Sequence, residues 1–354
     1  MDNKKLKVLH VLKSSVYSGA ENVVITLIKH LNNQFEMAYL ASQGEIEDVL
    51  KRENITYYLL EQYSRKGIAK VFNTFRPDII HAHDFTATVI CSFIKGDYRL
   101  ISHLHYDPPW VGRWNLKSIL YAYCNRKIQR VLLVSENMFQ NMVFAGFFKG
   151  KAVVVKNPLD LDCIRRKAEE EISNLSKYDI VFVGRFVEQK DPQRFIHLIA
   201  KLKESGCTDV SCLMLGEGIL EEECRQLIYS LNLADNIWLA GFQDNPYAFM
   251  KFASVLVMTS RWEGFGLVIA EANALGVPVL STPTAGAREL LGDGAWELYD
   301  SDEMFIKKSK ALLLDDTQYE KYARIAAERA RGFDNIDEYL LRISAIYTSE
   351  VENR

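Results

Sequence analysis

Two carboxylates flank a glycine-containing turn in the second half of the chain. Glu263 precedes Gly264 and Gly266, and Glu271 follows eight residues after Glu263, within a predicted helix. Glycines before a helix permit a tight turn and leave the first N–H groups free, which suits a phosphate. The carboxylates are at most ~12 Å apart along the helix rise, too far to share a proton but suited to hydroxyls at the two ends of a nucleotide sugar. A plain structural turn, with Glu271 in solvent, fits the spacing equally well.

A second, positively charged cluster follows a predicted strand over residues 178–183. Arg185 lies just after this strand, and Lys190 precedes a helix that Pro192 can begin. A fork-shaped guanidinium and an ammonium five residues apart suit a diphosphate better than a carboxylate. Basic residues in loops are often merely solvated, so this cluster alone leaves both interpretations open.

Four histidines form two pairs whose members are separated by one residue. The pairs are His81 with His83 and His103 with His105. Side chains alternate along a strand, so each pair projects from one face, and imidazole nitrogens are common ligands of zinc and related ions. A metal-dependent hydrolase is therefore an alternative function, with Asp84 and Asp107 as nearby carboxylates. His10 has no such neighbour in sequence, and we interpret it as an ordinary packed residue.

These residues need a scaffold that brings several strand ends together. Short apolar runs rich in β-branched residues alternate with segments of helical periodicity. This alternation is typical of parallel strands in doubly wound α/β domains, whose ligands bind at the carboxyl ends of the strands. The predicted strands are residues 7–12, 35–41, 56–60, 78–83, 99–105, 130–134, 152–155, 178–183, 210–215, 236–239, 254–258 and 277–280.

A turn-rich connector at Asn157 and Pro158, followed by a charged segment, interrupts this pattern. The length of 354 residues is sufficient for two cores. We therefore predict two Rossmann-like domains facing a cleft, over residues 1–160 and 161–335. A C-terminal helix over residues 336–354 is expected to cross back to the first domain.

Composition narrows the functional classes. The chain has 43 basic and 46 acidic residues and a formal charge of −3, which argues against a nucleic-acid partner. Its apolar runs are too short for a signal peptide or a membrane span, and its six cysteines form no C-x-x-C pair. The expectation is a cytoplasmic protein.

Taken together and in this order, the motifs resemble those of glycosyltransferase family 4, and the resemblance extends across nearly the whole chain. The matching segments are Ser18-Gly19-Ala20-Glu21, residues 78–83, Asn157-Pro158, Gly184-Arg185, Lys190-Asp191-Pro192 and Glu263 through Glu271. Ser18 stands where a glycine is common in the family. Such enzymes have two Rossmann-like domains, the GT-B architecture, and retain the anomeric configuration of the transferred sugar. The resemblance implies that residues 1–160 bind the acceptor and residues 161–335 the nucleotide-sugar donor.

The resemblance implies a role for each matching residue. The implied roles are diphosphate binding for Arg185 and Lys190, sugar binding for Glu263, ribose binding for Glu271, and a phosphate cradle from the backbone of Gly264, Phe265, Gly266 and Leu267. His105 is similar to a family histidine near the reacting carbon, and Gly19 would let the first loop approach donor and acceptor. His105, Glu263, Arg185 and Lys190 are thus the expected catalytic residues. Members of the family need no metal, because Arg and Lys stabilise the leaving phosphate.

The predicted function is therefore a retaining glycosyltransferase that uses a nucleoside-diphosphate sugar, with UDP as the favoured nucleotide. Family context favours a lipid-linked glycan acceptor in the biosynthesis of a capsule or exopolysaccharide. The alternatives are a non-catalytic partner subunit that binds a nucleotide sugar, a sugar-nucleotide epimerase, and the histidine-based hydrolase. The sugar, the linkage and the identity of the acceptor stay open.

Residues 110–151 mix aromatic with basic side chains and contain only one acidic residue, Glu136. This mixture suits the headgroup region of an anionic membrane, which would place the protein peripherally at the inner face. The alternative is that the aromatic rings pack onto the sheet and the charges are simply solvated.

Overall fold

The computed structural model describes residues 5–106, 108–172, 177–333 and 335–349. The chain divides into two compact units. The first contains the residues up to Pro158 together with a C-terminal helix, Ile336–Ser349, and the second extends from Leu159 to Asn335. The predicted boundaries at 160 and 335 lie within two residues of these limits. Asp107 and residues 350–354 of the predicted last helix lie outside the described residues.

Seven parallel strands form the sheet of the first unit, in the order β3-β2-β1-β4-β5-β6-β7. They are β1 (Lys7–Val11), β2 (Glu36–Ser42), β3 (Tyr57–Leu60), β4 (Ile79–Ala82), β5 (Arg99–Leu104), β6 (Ile128–Leu133) and β7 (Ala152–Val154). The direction in which the strand order runs reverses between β1 and β4, which is the switch point where doubly wound sheets bind ligands. His10 on β1 pairs in register with His81 on β4.

Helices connect these strands, as parallel pairing requires. They are α1 (Gly19–Leu31), α2 (Ile46–Arg52), α3 (Arg65–Phe75), α4 (Phe85–Ser92), α5 (Leu116–Tyr123) and α6 (Glu136–Asn141), with 3₁₀ turns at Pro109–Gly112, Cys124–Arg126 and Ala145–Phe148. Helix α1 buries the apolar face that its sequence period predicts, including Val24, Leu27 and Leu31.

The second unit has five parallel strands in the order β10-β9-β8-β11-β12. They are β8 (Tyr178–Val183), β9 (Cys212–Leu215), β10 (Ile237–Leu239), β11 (Ala253–Met258) and β12 (Val279–Ser281). Its helices are α7 (Leu161–Ala168), α8 (Pro192–Glu204), α9 (Glu221–Ser230), α10 (Pro246–Lys251), α11 (Leu267–Ala274), α12 (Ala285–Leu291), α13 (Asp302–Leu314) and α14 (Asp316–Ala330). All twelve predicted strands are present, each within two residues of its predicted ends, so the fold class of two parallel α/β domains is confirmed.

The C-terminal helix, α15 (Ile336–Ser349), packs on the first unit. Tyr339, Ile343 and Tyr347 are buried in the same apolar core as residues of α1. The Tyr347 hydroxyl lies 2.6 Å from His81 Nδ1, and Arg99 Nη1 donates to the Tyr347 carbonyl oxygen at 3.1 Å. The C-terminal helix is therefore part of the core of the first unit and contacts His81 directly.

Candidate functional site

Two loops of the second unit lie against each other at the carboxyl ends of neighbouring strands. Residues 184–191 follow β8, and residues 259–266 follow β11. Thr259 Oγ1 lies 2.9 Å from the carbonyl oxygens of both Lys190 and Asp191. Gln189 Nε2 donates to the Trp262 carbonyl oxygen at 3.1 Å. The two clusters singled out in the sequence thus form one site, called here the two-loop site.

A buried ion pair joins the two loops. The Lys190 ammonium contacts the Glu263 carboxylate directly, and their side chains are only 17% and 8% exposed. Ser260 Oγ donates to the same carboxylate oxygen at 2.7 Å. An ammonium has three N–H groups, so Lys190 keeps two donors for a further acceptor. The sequence placed both residues in the site, but their contact and the role of Ser260 were not predicted.

Arg185 supplies a second positive charge on the same loop. It is half-buried, and among the described residues its guanidinium has neither a hydrogen-bond acceptor nor an ion-pair partner. A planar guanidinium without a protein partner is ready to bind a phosphate in bidentate fashion. The arrangement therefore leaves donors from both predicted cations available to an anion.

Glu271 lies on α11 and is 9% exposed, so the interpretation that it faces solvent is wrong. Burial raises the pKa of this carboxyl to about 7, against smaller opposing effects of Tyr247, Lys190 and Lys167. Tyr247 Oη donates to Glu271 Oε1 at 3.2 Å. No pattern in the sequence indicated Tyr247, which lies on α10 and contacts Glu271 from there.

The turn before α11 is tight, as its two glycines predicted. Only Gly266 has the left-handed backbone conformation that favours glycine. Gly266 is left-handed with φ of +83°, and the helix begins at the next residue, Leu267. Gly286 of α12 packs so closely that an added Cβ would lie 2.6 Å from the Phe265 carbonyl oxygen. The predicted cradle at Gly264, Phe265 and Gly266 is therefore a tightly held turn that ends at a helix N-terminus.

In the first unit, five histidines stack at the carboxyl ends of β1, β4 and β5. They are His10, His81, His83, His103 and His105, called here the histidine cluster. His10 Nδ1 lies 3.0 Å from His83 Nε2, so the interpretation of His10 as an unrelated packed residue is wrong. His83 Nδ1 lies 3.1 Å from His105 Nε2, and His105 Nδ1 lies 3.3 Å from Asn157 Oδ1.

The carboxylates expected beside these histidines do not join them. Asp84 instead caps α4, accepting the backbone N–H groups of Ala87 at 2.7 Å and Lys13 at 2.9 Å. Asp107 lies outside the described residues. Burial lowers the pKa of all five rings, to about 3 for His10 and about 4 for His105, so the cluster is neutral at pH 7.

Gly19 begins α1, directly after the loop that follows β1, and is exposed. Ser18, where the family often has glycine, precedes it, and its hydroxyl contacts the Glu21 carboxylate. Gly19 thus lies at the carboxyl edge of the sheet that also carries His105. Its predicted approach to substrates stays a prediction.

Residues 110–151 contain both inward-facing and outward-facing aromatic rings. Tyr121, Phe144 and Phe148 are fully buried. The exposed large apolar residues are Trp114, Leu116, Ile119, Leu120, Tyr123, Val143 and Phe147, called here the α5 patch. The rings that pack into the core confirm the alternative interpretation for part of the segment, while contact with a membrane stays a prediction. Within the described ranges, no helix has the length and apolar content that crossing a bilayer requires.

Two family models match adjoining segments, which together span residues 17–331. The model described as Glycosyltransferase Family 4 matches residues 17–163, and the model described as Glycosyl transferases group 1 matches residues 164–331. The chain belongs to glycosyltransferase family 4. The predicted family, and with it the glycosyltransferase class, is confirmed.

Curated relatives agree with this assignment. A Campylobacter jejuni relative, named N-acetylgalactosamine-N,N'-diacetylbacillosaminyl-diphospho-undecaprenol 4-alpha-N-acetylgalactosaminyltransferase, is 35% identical over 190 residues, which cover 52% of this chain and 51% of that protein. The Escherichia coli O-antigen biosynthesis glycosyltransferase WclY is 23% identical over 90% of both chains. The matches span about half the length of the Campylobacter protein and 60% of an uncharacterized Methanocaldococcus jannaschii glycosyltransferase.

Solved structures share the fold. Anabaena Alr3699/HepE, in complex with UDP-glucose, superimposes with a TM-score of 0.83 at 19% identity, over 97% of this chain and all of that one. TarM superimposes with a TM-score of 0.76 at 11% identity, over 98% of this chain. The GT-B fold expected for family 4 is thereby confirmed.

The neutral histidine cluster predicts an acid-sensitive fold. Histidines of the unfolded chain titrate near 6.5, whereas burial lowers the pKa of these rings in the folded chain. Below pH 6.5 the unfolded chain therefore binds more protons, so stability is complete above that pH and falls toward pH 4. Each ring contributes up to ~1.4 kcal/mol per pH unit, and two carboxyl groups oppose the effect, because burial raises the pKa of Glu271 and of Asp84.

Thermal unfolding between pH 7.5 and 5 measures this effect above the range in which most carboxylates titrate. The unfolding midpoint should decrease as the pH is lowered, both in the wild type and in His30→Gln, which replaces an exposed histidine of α1. His103→Gln should make the slope shallower. A midpoint that stays constant from pH 7.5 to 5 would contradict a neutral buried cluster.

Proposed function

We propose that this chain is a retaining glycosyltransferase that moves a sugar from a UDP-sugar to a lipid-linked glycan in surface-polysaccharide biosynthesis. The observation that carries the proposal is the two-loop site. Arg185 and Lys190 there offer N–H donors beside the turn that begins α11. A nucleoside diphosphate is the ligand that this combination of charge and backbone fits best.

The chemistry of transfer follows from where charge develops. As the glycosidic bond breaks, negative charge grows on the leaving phosphate. Donors already fixed by the fold stabilise that charge without reorganising, as Arg185, the two remaining N–H groups of Lys190 and the first N–H groups of α11 are positioned to do. These groups take the place of a metal, so we propose that transfer needs none.

Carboxylates in the same unit are proposed to hold the sugars of the donor. Glu263 Oε1 is taken by Lys190 and Ser260, while among the described residues Oε2 has no such partner and can accept a hydroxyl of the transferred sugar. Glu271 is proposed to accept a ribose hydroxyl. In the first unit we propose that His105 acts near the reacting carbon and that Gly19 admits the acceptor.

Comparisons with known proteins support the choice of UDP as the nucleotide and of a lipid-linked acceptor. Alr3699/HepE was solved with UDP and with UDP-glucose, which favours UDP as the nucleotide. The Campylobacter relative is named for a diphospho-undecaprenol substrate and WclY for O-antigen biosynthesis, which favours a lipid-linked acceptor in a surface-polysaccharide route.

We also propose that the α5 patch contacts the surface of an anionic membrane, where such an acceptor would be presented. Leu116 is 81% exposed and Ile119 54% exposed, and Lys117 lies between them on the same helix. Arg126 and Lys127 follow the helix directly. Exposed apolar side chains flanked by cations are what an interfacial helix presents to lipid.

Donor binding can be tested by calorimetric titration with UDP, GDP and ADP, each with and without EDTA. UDP should bind most tightly and regardless of EDTA. Arg185→Ala and Lys190→Ala should each weaken binding about 10- to 100-fold, because each removes a hydrogen bond to a charged group. Arg225→Ala, an exposed arginine of α9 paired with Glu221, is the matched control and should bind like the wild type. Binding that requires a metal, or equal affinity in all variants, would overturn the proposed site.

The raised pKa of Glu271 makes a separate prediction. Because burial raises this pKa to about 7, the carboxylate forms only as the pH rises through neutrality. A carboxylate accepts a hydroxyl hydrogen bond more strongly than a neutral carboxyl group. The affinity for UDP should therefore gain more between pH 6 and 8 in the wild type than in Glu271→Gln. Parallel pH curves would remove Glu271 from the ribose site.

Membrane contact is tested by sedimentation with vesicles that contain anionic phospholipid. The double variant Arg126→Glu, Lys127→Glu and the double variant Leu116→Ser, Ile119→Ser should each lose binding. Leu314→Ser, which changes an exposed leucine of the second unit, should not lose binding. Undiminished binding by both double variants would overturn the role of the α5 patch.

A further inference from the structure

The histidine cluster belongs to the first unit, and the donor chemistry of the second unit leaves most of it unused. We infer that three of its members, His83, His103 and His105, form a binding site for one divalent cation of the class that prefers imidazole, for which Zn²⁺ is the probe. This inference shares His105 with the proposed function, in which that ring acts near the reacting carbon, but none of the three ligands belongs to the two-loop site.

The ring nitrogens have the spacing of metal ligands. One nitrogen from each of the three rings lies within 4.8 Å of the others, and His83 Nδ1 lies 3.1 Å from His105 Nε2. Zn–N bonds of ~2.0–2.1 Å in a tetrahedral site separate two ligand nitrogens by ~3.3 Å. Small ring movements are therefore enough to admit an ion among the three.

A hydrogen-bond partner already orients one of the proposed ligands. His105 Nδ1 lies 3.3 Å from Asn157 Oδ1, an acceptor that fixes the proton on Nδ1 and leaves the lone pair on Nε2, toward His83. Histidines that bind metals commonly hold their other ring nitrogen in this manner. The ring is thus oriented as a neutral ligand by an outer group rather than by substrate.

His103 supplies an independent observation. It is fully buried, and among the described residues neither of its ring nitrogens has a hydrogen-bond partner. A buried polar group left without a partner costs ~1–3 kcal/mol, so two such nitrogens in one ring need an explanation. An ion bound to His103 accounts for one of them.

The inner group of His10, His81 and His83 also has ligand spacing, but it suits an ion less well. All three of its rings are completely or almost completely buried, so an ion there would have no route of entry and no solvent to compensate its charge. In the outer group His105 is partly exposed. This exposure provides an entrance and a fourth position for water or a solvent anion.

Metal titration of the full chain tests the inference directly. After EDTA treatment and desalting, Zn²⁺ is titrated by calorimetry and Co²⁺ by its visible absorption. The wild type and His30→Gln should each bind one ion per chain, and His103→Gln and His105→Gln should bind at least ten-fold more weakly. A wild type that binds neither ion, or unchanged binding in both cluster variants, would overturn the site.

X-ray absorption at the zinc edge of the wild type keeps the test valid even where a variant fails to fold. Scattering from three imidazole rings is expected, and an ion bound to fewer than three rings would overturn the assignment. UDP titration of the same samples separates the two proposals. A wild type that binds UDP but neither metal ion contradicts only this inference, and a wild type that binds one metal ion but not UDP contradicts only the donor site.

Discussion

The ion pair between Lys190 and Glu263 is the contact on which the candidate donor site depends. It joins loops that follow two different strands, and both side chains are largely shielded from water. Removing either partner would leave a poorly solvated charge, which costs more than the pair itself contributes. Because Ser260 supports Glu263 and Thr259 supports the carbonyl groups at Lys190 and Asp191, the loops are ordered before any ligand arrives. That order places Arg185 and the start of α11 beside the same pair of strands.

The two units use burial in opposite ways. In the second unit, burial strengthens a pair of opposite charges and raises the pKa of Glu271 toward neutrality. In the first unit, burial keeps five imidazoles neutral, and among the described residues no carboxylate pairs with them. The charged groups of the second unit suit the recognition of a charged ligand, whereas the neutral imidazoles of the first unit present nitrogen lone pairs. The two-loop site and the histidine cluster both lie at the carboxyl ends of parallel strands, which is where α/β folds bind their ligands.

The sequence was sufficient for every strand, because a strand buried on both faces must be a continuous apolar run. It also identified Arg185, Lys190, Glu263 and Glu271, since each follows such a run or the turn after it. It did not predict that Lys190 and Glu263 touch, which depends on β8 and β11 being neighbours. The place of His10 beside His83 depends in the same way on strand order, and that of Tyr247 on how α10 packs. Contacts between distant segments have no local signature, so periodicity alone could not reveal them.

The two-loop site is proposed to hold the diphosphate of a UDP-sugar donor. A crystal structure of the chain with UDP is the strongest test of this proposal. We expect the phosphate oxygens to lie within hydrogen-bond distance of Arg185 and of Lys190 Nζ, with the ribose at Glu271. UDP bound elsewhere, or bound at the turn with Arg185 and Lys190 both out of reach of the phosphates, would contradict it.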